Sequence, residues 1–415
     1  MNQNKVWFET LGCDKNTVDS QVMQAVLTEA GFCPAESPED ADTIIVNTCC
    51  FIDDAKTESI DAIFELLPCK TEGNCSKFIV AGCMAQRYAT QLAEELPEVD
   101  AFIGVNNLED IARLIQTSGS DEIQICTDAA QPVYCESGAG RETAADSVTA
   151  YLKIAEGCDK HCTYCAIPGI RGHYRSREPE AILAEAKSLK ARGIEECILI
   201  AQDLTCYGDD LETEITLAAL LDRLATEVPF TWIRLLYLYP EGITEDLLQV
   251  MAAHENICHY LDLPIQHTEN NILKRMGRRI DKKSICDIVN SIKTILPDAI
   301  LRTTIIVGFP GETEADFEAM LETLADLRFD RLGAFTYSQE EGTPAALLPD
   351  QIDEDVKEER RDRICTATAN LIGTQSGSGG DCAKSFDRRC RRWDLYRQNS
   401  GGCTGDRLRC DRRRC

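Results

Sequence analysis

Short apolar runs alternate with longer stretches of helical spacing along the first 118 residues. KVWFET (5–10), TIIVNT (43–48) and KFIVAG (77–82) have the density of buried strands, and AFIGV (101–105) adds a fourth. The segments near 18–30, 54–67 and 87–95 carry apolar residues at helical spacing. Strands alternating with helices imply a parallel α/β sheet, here a first domain over 1–118. Residues 119–147 mix small, polar and acidic residues and read as a linker. A second domain over 148–363 resumes the alternation at a longer period. Its strand candidates are AYLKIA (150–155), CILIAQ (197–202), WIRLLYLY (232–239), HYLDLPI (259–265), ILRTTIIVGF (300–309) and RLGAFTY (331–337), and helical stretches such as 178–192, 214–227 and 313–328 separate them. Six βα-type repeats fit a partial (β/α)6 parallel barrel better than a doubly wound sheet.

After Ile364 the pattern stops. Residues 365–415 contain no Glu, Val, Met or Pro, yet hold six cysteines, eleven Lys plus Arg and five Asp. Nothing there repeats with a period of 2 or 3.6, and seven large apolar side chains cannot offset the backbone entropy of 51 residues. The expectation for 364–415 is a disordered, basic, Cys-rich tail, its abrupt change of composition pointing to translation out of frame. That tail carries +6, so the remainder of a chain at −27 carries −33.

Composition and charge sharpen the picture at four points. With 44% hydrophobic and 27% charged residues the chain is globular. No apolar run approaches the roughly 18 residues of a membrane span, and MNQNKVWFET lacks a signal-peptide pattern, so a cytoplasmic protein with no membrane partner is expected. The acidic balance disfavours direct nucleic-acid binding and favours a basic partner. The 22 cysteines are too many for a reduced compartment to hold as disulfides, so some should bind metal or do chemistry.

Two cysteine constellations carry that chemistry. Cys158-Asp-Lys-His-Cys162-Thr-Tyr-Cys165 follows directly on a strand. Three thiolates on one tight loop can hold three corners of a cubane iron–sulfur cluster and leave one iron open to substrate. A zinc loop completed by His161 or His173 is the alternative. The second constellation is dispersed: Cys13, Cys49 and Cys83 each lie just past the end of a predicted strand. Consecutive parallel strands end on one sheet edge, so the three loops converge where open α/β sheets put ligands. Buried cysteine is also a common small apolar residue, and Cys50 could compete with Cys49. Cys197 and Cys258 read as core.

The cluster loop, with Tyr164 before its last cysteine, resembles the radical S-adenosylmethionine superfamily. The triad ahead of it resembles the methylthiotransferase family. Within that family the branch modifying ribosomal protein S-twelve is the match, carried by LGCDKNTVDS (11–20), EGCDKHCTYCAIPGIRGHYRSR (156–177), ILIAQDLTCYG (198–208), LLYLYP (235–240), YLDLPIQHT (260–268), RTTIIVGFPGET (302–313) and RFDRLGAFTYSQEEGTPA (328–345). The resemblance spans about residues 5–363.

It implies two 4Fe–4S clusters and S-adenosylmethionine as cofactors. Cys158, Cys162 and Cys165 would be the catalytic ligands of the cluster that reductively cleaves S-adenosylmethionine. Cys13, Cys49 and Cys83 would hold an auxiliary cluster that delivers sulfur. A methylthio group would reach the β-carbon of an aspartate, with flavodoxin or ferredoxin as a one-electron donor. Tyr164, Gln202, Asp203, Gly308 and Gly311 would cradle the cofactor, although the strand-end residues among them could simply form turns. Two departures stand out. Cys50 occupies a position where the family usually has glycine, and 365–415 resemble nothing like the family's small β-barrel TRAM domain. The near alternative is the branch acting on a transfer-RNA adenosine, which a −33 body would repel. A protein that binds its clusters but does little on a folded partner is the third reading.

Overall fold

The computed structural model describes residues 4–116, 122–127, 140–144, 146–213 and 215–375. The first sheet is built from β1 (Lys5–Thr10), β2 (Cys33–Pro34), β3 (Thr43–Thr48), β4 (Lys77–Gly82), β5 (Ala101–Ile103) and β6 (Gln124–Cys126). All its pairings are parallel, in the order β2-β1-β3-β4-β5-β6. The chain moves outward from β1 to β2, then returns to place β3 on the other side. The β1/β3 boundary is therefore the topological switch point, where loops diverge and leave a crevice. Helices α1 (Asp14–Glu29), α2 (Asp53–Leu66), α3 (Pro68–Thr71), α4 (Cys83–Glu95) and α5 (Ile111–Gln116) cover the sheet.

All four expected strands form here. The two additional ones, β2 and β6, have two and three residues, too short to show a period. β6 falls inside the stretch read as linker, and residues 140–144 are pinned there too. The Glu142 N–H donates to the Gln21 carbonyl at 3.1 Å, and Arg141 Nε lies 3.5 Å from Glu185.

The second sheet begins with β7 (Thr149–Lys153). A small antiparallel pair, β8 (Ala155–Glu156) and β9 (Arg175–Ser176), brackets the cysteine loop and α6 (Ile167–Arg171). The sheet then continues through β10 (Glu196–Ile200), β11 (Trp232–Leu235), β12 (Ile257–Gln266), β13 (Ile300–Val307) and β14 (Arg331–Thr336), with α7 (Pro179–Ala191), α8 (Leu217–Glu227), α9 (Glu245–Ala253), α10 (Asn270–Arg275), α11 (Lys282–Ile295) and α12 (Glu314–Leu327) between them. Strands pair in strict chain order and always in parallel. Parallel crossovers in one direction give a partial barrel, with α7, α8, α9, α11 and α12 packed against its strands in one apolar cluster.

The expected run WIRLLYLY ends its ladder at Leu235, because Tyr237 takes φ 61° and turns the chain away. β13 alternates strictly: Leu301, Thr303, Ile305 and Val307 are buried, while the residues between them face the lumen. That lumen is polar. Arg302 pairs with Asp262 at 2.7 Å and Arg234 with Glu196 at 2.7 Å.

The open side of the barrel does not face water at its first strands. Ile198 and Ile200 of β10 pack in one apolar cluster with Val18, Val22 and Met23 of α1. Residues up to Cys365 thus form one compact unit. Among the described residues no helix is long and apolar enough to cross a membrane.

Helix α12 starts on a capping box. Asp316 N–H donates to Thr313 Oγ1 at 3.2 Å and Thr313 N–H donates to Asp316 Oδ2 at 2.9 Å. Thr313→Ala should cost about 1 kcal/mol and lower the melting temperature by about 2 °C; an unchanged thermal transition would contradict that.

The last described helix, α13 (Glu354–Gln375), runs on past the compositional break at Ile364. Its first turns are anchored: Lys357 Nζ donates to the Tyr337 carbonyl at 3.0 Å and Arg360 pairs with Glu312 at 2.7 Å. The expectation of a disordered tail falls, beyond residue 375, outside the described residues.

Candidate functional site

Cys13, Cys49 and Cys83 leave three neighbouring strands, β1, β3 and β4. Register fixes their level: Thr10 stands opposite Asn47, and Thr48 opposite Gly82. Cys49 and Cys83 are each one residue beyond that last pair, on strands about 4.8 Å apart. Cys13 is drawn in by Gly12, which takes φ 86° against the β3 loop. A methyl group on Gly12 would lie 2.6 Å from Cys49 Cβ and 2.9 Å from its Sγ. The three thiols are close enough for the charge of each to act on the others. Burial pushes the Cys49 thiol up and the Cys83 thiol to about 12.

Cys50 is fully buried beside them. Its thiol is pushed up to about 11 by burial and feels Arg87 and Cys49, whereas Cys49 feels Cys13 and Arg171, and Cys83 feels Cys50 as well as Cys13 and Cys49.

The second triad sits on the loop after β8. Gly157, at φ 84°, swings the chain off the strand immediately before Cys158. Backbone bonds then lock the loop: Cys158 N–H donates to the Gly172 carbonyl at 3.1 Å, Thr163 N–H to the Met276 carbonyl at 2.9 Å, and Cys165 N–H to the Cys162 carbonyl at 3.0 Å. Burial raises the Cys158 thiol to about 11 and the Cys165 thiol to about 12, and each of the two also feels the charge of Cys162. His173 is turned outward and pairs with Asp159 at 2.8 Å, so it does not close a zinc site with this loop. Among the described residues, no three His, Cys, Asp or Glu side chains are drawn in to the spacing of a single-ion site.

Both triads suit an iron–sulfur group. Each offers three thiols, two of them in surroundings where burial makes a bare thiolate costly (Cys49 and Cys83, Cys158 and Cys165), so a bound metal centre would supply the missing positive charge. Cations are already in place: Lys15 beside Cys13, and Arg171 Nη2 at 3.4 Å from Cys83 Sγ.

Residues 5–104 match the profile of Uncharacterized protein family UPF0004, and residues 152–324 that of the Radical SAM superfamily. Over 360 residues the chain is 48% identical to the ribosomal protein uS12 methylthiotransferase RimO of Clostridioides difficile, covering 87% of this chain and 81% of that one. The chain belongs to the RimO family. The RimO of Geobacter sulfurreducens is similar at 47% identity, with 89% and 83% covered. Among solved structures, the radical S-adenosylmethionine methyltransferase TsrM from Kitasatospora setae superposes with TM-score 0.62 at 14% identity, over 83% of this chain and 77% of that one, a likeness of fold alone. Membership of the RimO family makes this chain a radical S-adenosylmethionine methylthiotransferase, an enzyme working with iron–sulfur clusters.

On this RimO-family chain the expected cradle residues lie around the barrel mouth. Tyr164 is edge-on to Phe309, with ring centroids 6.4 Å apart. Gln202 donates to Glu156, while its Oε1 is buried without a hydrogen-bond partner. Asp203 is already engaged: Oδ1 accepts from Thr205 N–H at 2.8 Å, and Oδ2 pairs with Lys160 of the cysteine loop at 3.4 Å. Gly308 and Gly311 take φ 71° and 82°. Gly308 N–H donates to Glu312 at 3.0 Å, and Gly311 is packed against the Arg275 guanidinium.

Sequence reasoning missed two strained residues at this mouth. Tyr237 and Gln266 both have positive φ, at the ends of neighbouring strands, and Gln266 Oε1 is buried and unpartnered. Non-glycine residues held in that region mark sites where geometry outweighs strain. Both stand in segments that had been singled out, LLYLYP and PIQHT, but a one-dimensional pattern carries no φ.

Proposed function

We propose that this chain methylthiolates the β-carbon of an aspartate in ribosomal protein uS12, with Cys158, Cys162 and Cys165 ligating the cluster at the barrel mouth and Cys13, Cys49 and Cys83 the auxiliary one. The observation that carries this reading is the placement of two thiol triads, each with two buried cysteines and one half-buried, at strand ends of one compact unit. When bound, the barrel cluster and S-adenosylmethionine supply a carbon-centred radical by one-electron cleavage of the cofactor. The chain's own part is positional.

The lumen face of β11–β13 offers Arg234, Asp262 and Arg302 to polar groups. The unpartnered Gln202 and Gln266 oxygens are two acceptors awaiting a polar ligand. Tyr164, Gly308 and Gly311 shape the cofactor's side of the mouth. Asp203 holds the cysteine loop through Lys160. Ile198 and Ile200 packed against α1 keep water from the first strands of the barrel. The acidic body, in the cytoplasm, attracts a basic ribosomal protein, and the electron comes from an external carrier such as flavodoxin or ferredoxin.

The test is anaerobic reconstitution, reduction, and incubation with uS12 and S-adenosylmethionine. Mass spectrometry should find one aspartate carrying methylthio in place of hydrogen. Modification of transfer RNA with uS12 untouched would overturn the substrate assignment. Gly12→Ala probes the first triad independently. The added methyl must displace Cys49, so iron at the N-terminal site should fall while S-adenosylmethionine cleavage persists; full iron retention would show that the close approach of the two loops is dispensable.

A further inference from the structure

Helix α6 begins two residues after Cys165 and ends on Arg171, whose guanidinium is fully enclosed. The side chain reaches across to α1 of the N-terminal half. Nη1 donates to Asp19 Oδ2 of α1 at 3.0 Å and to Glu156 Oε2 of β8 at 3.1 Å. Nη2 donates to Asn16 Oδ1 at 2.7 Å and lies 3.4 Å from Cys83 Sγ. Lys153 Nζ closes the network by pairing with Asp19 and, at 2.6 Å, with Glu156.

Two carboxylates and two cations balance within this group. The guanidinium is therefore clamped through Nη1, which leaves Nη2 to face Asn16 and the thiol site. Asn16 extends the reach: its Nδ2 donates to the Leu11 carbonyl at 3.0 Å and to the Thr48 carbonyl at 3.0 Å. Leu11 stands in the loop that carries Cys13, and Thr48 ends β3 just before Cys49. One side chain from α6 thus touches Cys83 directly and, through Asn16, the supports of the other two.

We propose that Arg171 is a positioning residue for the N-terminal thiolate triad: its charge and its N–H toward Cys83 set the reduction potential of the iron–sulfur group held there, while its anchorage on α6 fixes that group relative to the barrel loop. The proposal rests on the assignment of Cys13, Cys49 and Cys83 as cluster ligands. A hydrogen bond and a positive charge at a ligand sulfur withdraw electron density and favour the reduced state, so their loss makes the group harder to reduce. A network serving only to join the two halves would leave the potential where it is.

The test uses the full chain carrying Cys158→Ala, Cys162→Ala and Cys165→Ala, so that iron remains at the N-terminal triad alone. This parent is titrated electrochemically and followed by electron paramagnetic resonance. Adding Arg171→Gln should lower the reduced-to-oxidised ratio at a fixed potential about ten-fold, equivalent to about 59 mV for a one-electron couple. Arg171→Lys keeps the charge but not the forked geometry, and should shift the potential in the same direction by less. It carries the test if the Gln variant does not fold. A Gln variant that folds but binds no iron also supports the role. Parental potential in an iron-loaded variant overturns it. A parent that binds no iron instead overturns the ligand assignment, and measuring the parent first separates the two failures.

Discussion

Replacing Cys158, Cys162 and Cys165 together by Ala should abolish S-adenosylmethionine cleavage and take iron from on the order of eight atoms per chain to about four. The loss is complete because no other described thiol can take over. The loop is held by backbone bonds to Gly172 and Met276 that set where its sulfurs stand, and Cys206 hydrogen-bonds to Asp203 instead. Folding should survive. Cys158 and Cys162 lie at the mouth, outside the apolar cluster that packs the barrel strands against their helices. The measurement is 5′-deoxyadenosine by chromatography, iron by colorimetry and the thermal transition on one preparation. Retained 5′-deoxyadenosine would place the cleaving cluster elsewhere; stoichiometric zinc in place of iron would remove radical chemistry altogether.

How far this was legible in the sequence depends on the range of the interaction. β3 and β4 announce themselves because both faces are buried around a continuous apolar run, and β1 through its Val6-Trp7-Phe8 run. The singly wound order of the second sheet follows from the count of βα units, since steric rules leave few alternatives. Convergence of the three dispersed cysteines was readable as well, from the single fact that parallel strands end together. The Arg171–Asp19–Glu156–Lys153 network was not. Its members lie at four points in the chain, each an ordinary charged residue in its own helix or strand, and only the docking of α1 over β7 and β10 makes them one group. Asp203 shows the opposite limit: a residue picked for the cofactor has its carboxylate occupied by a local turn and Lys160. The helix through residues 354–375 continued past a break in composition because its anchors, Lys357, Arg360 and Ile364, precede that break.

The complementary variant separates radical generation from sulfur transfer. With Cys13, Cys49 and Cys83 all changed to Ala, 5′-deoxyadenosine should still form, whereas methylthiolated uS12 should be lost and iron should again fall by about half. Independence is expected because the backbone bonds that lock the cysteine loop end on Gly172, Met276 and Cys162, all within the barrel half, and the link to the N-terminal cysteines is made by Arg171 of α6 and not by the loop itself. Dependence of product is expected because sulfur must come from somewhere, and these thiols lie at the one edge of the first sheet that Arg171 joins to the cysteine loop. Cys50 provides the internal control. It lies beside the triad and, like Cys83, is packed in the N-terminal apolar core with Phe78, Val80 and Met84, but it is one residue past the position that the β3/β4 register sets level with Cys83. Cys50→Gly should therefore keep iron and product within about two-fold, at the cost of stability that a large-to-small change in a core brings, about 1–3 kcal/mol. If instead Cys50→Gly loses the iron while Cys49→Ala keeps it, the ligand at the end of β3 is the neighbouring cysteine, and the triangle must be redrawn around it. If the triple variant still makes product, sulfur reaches uS12 without this site.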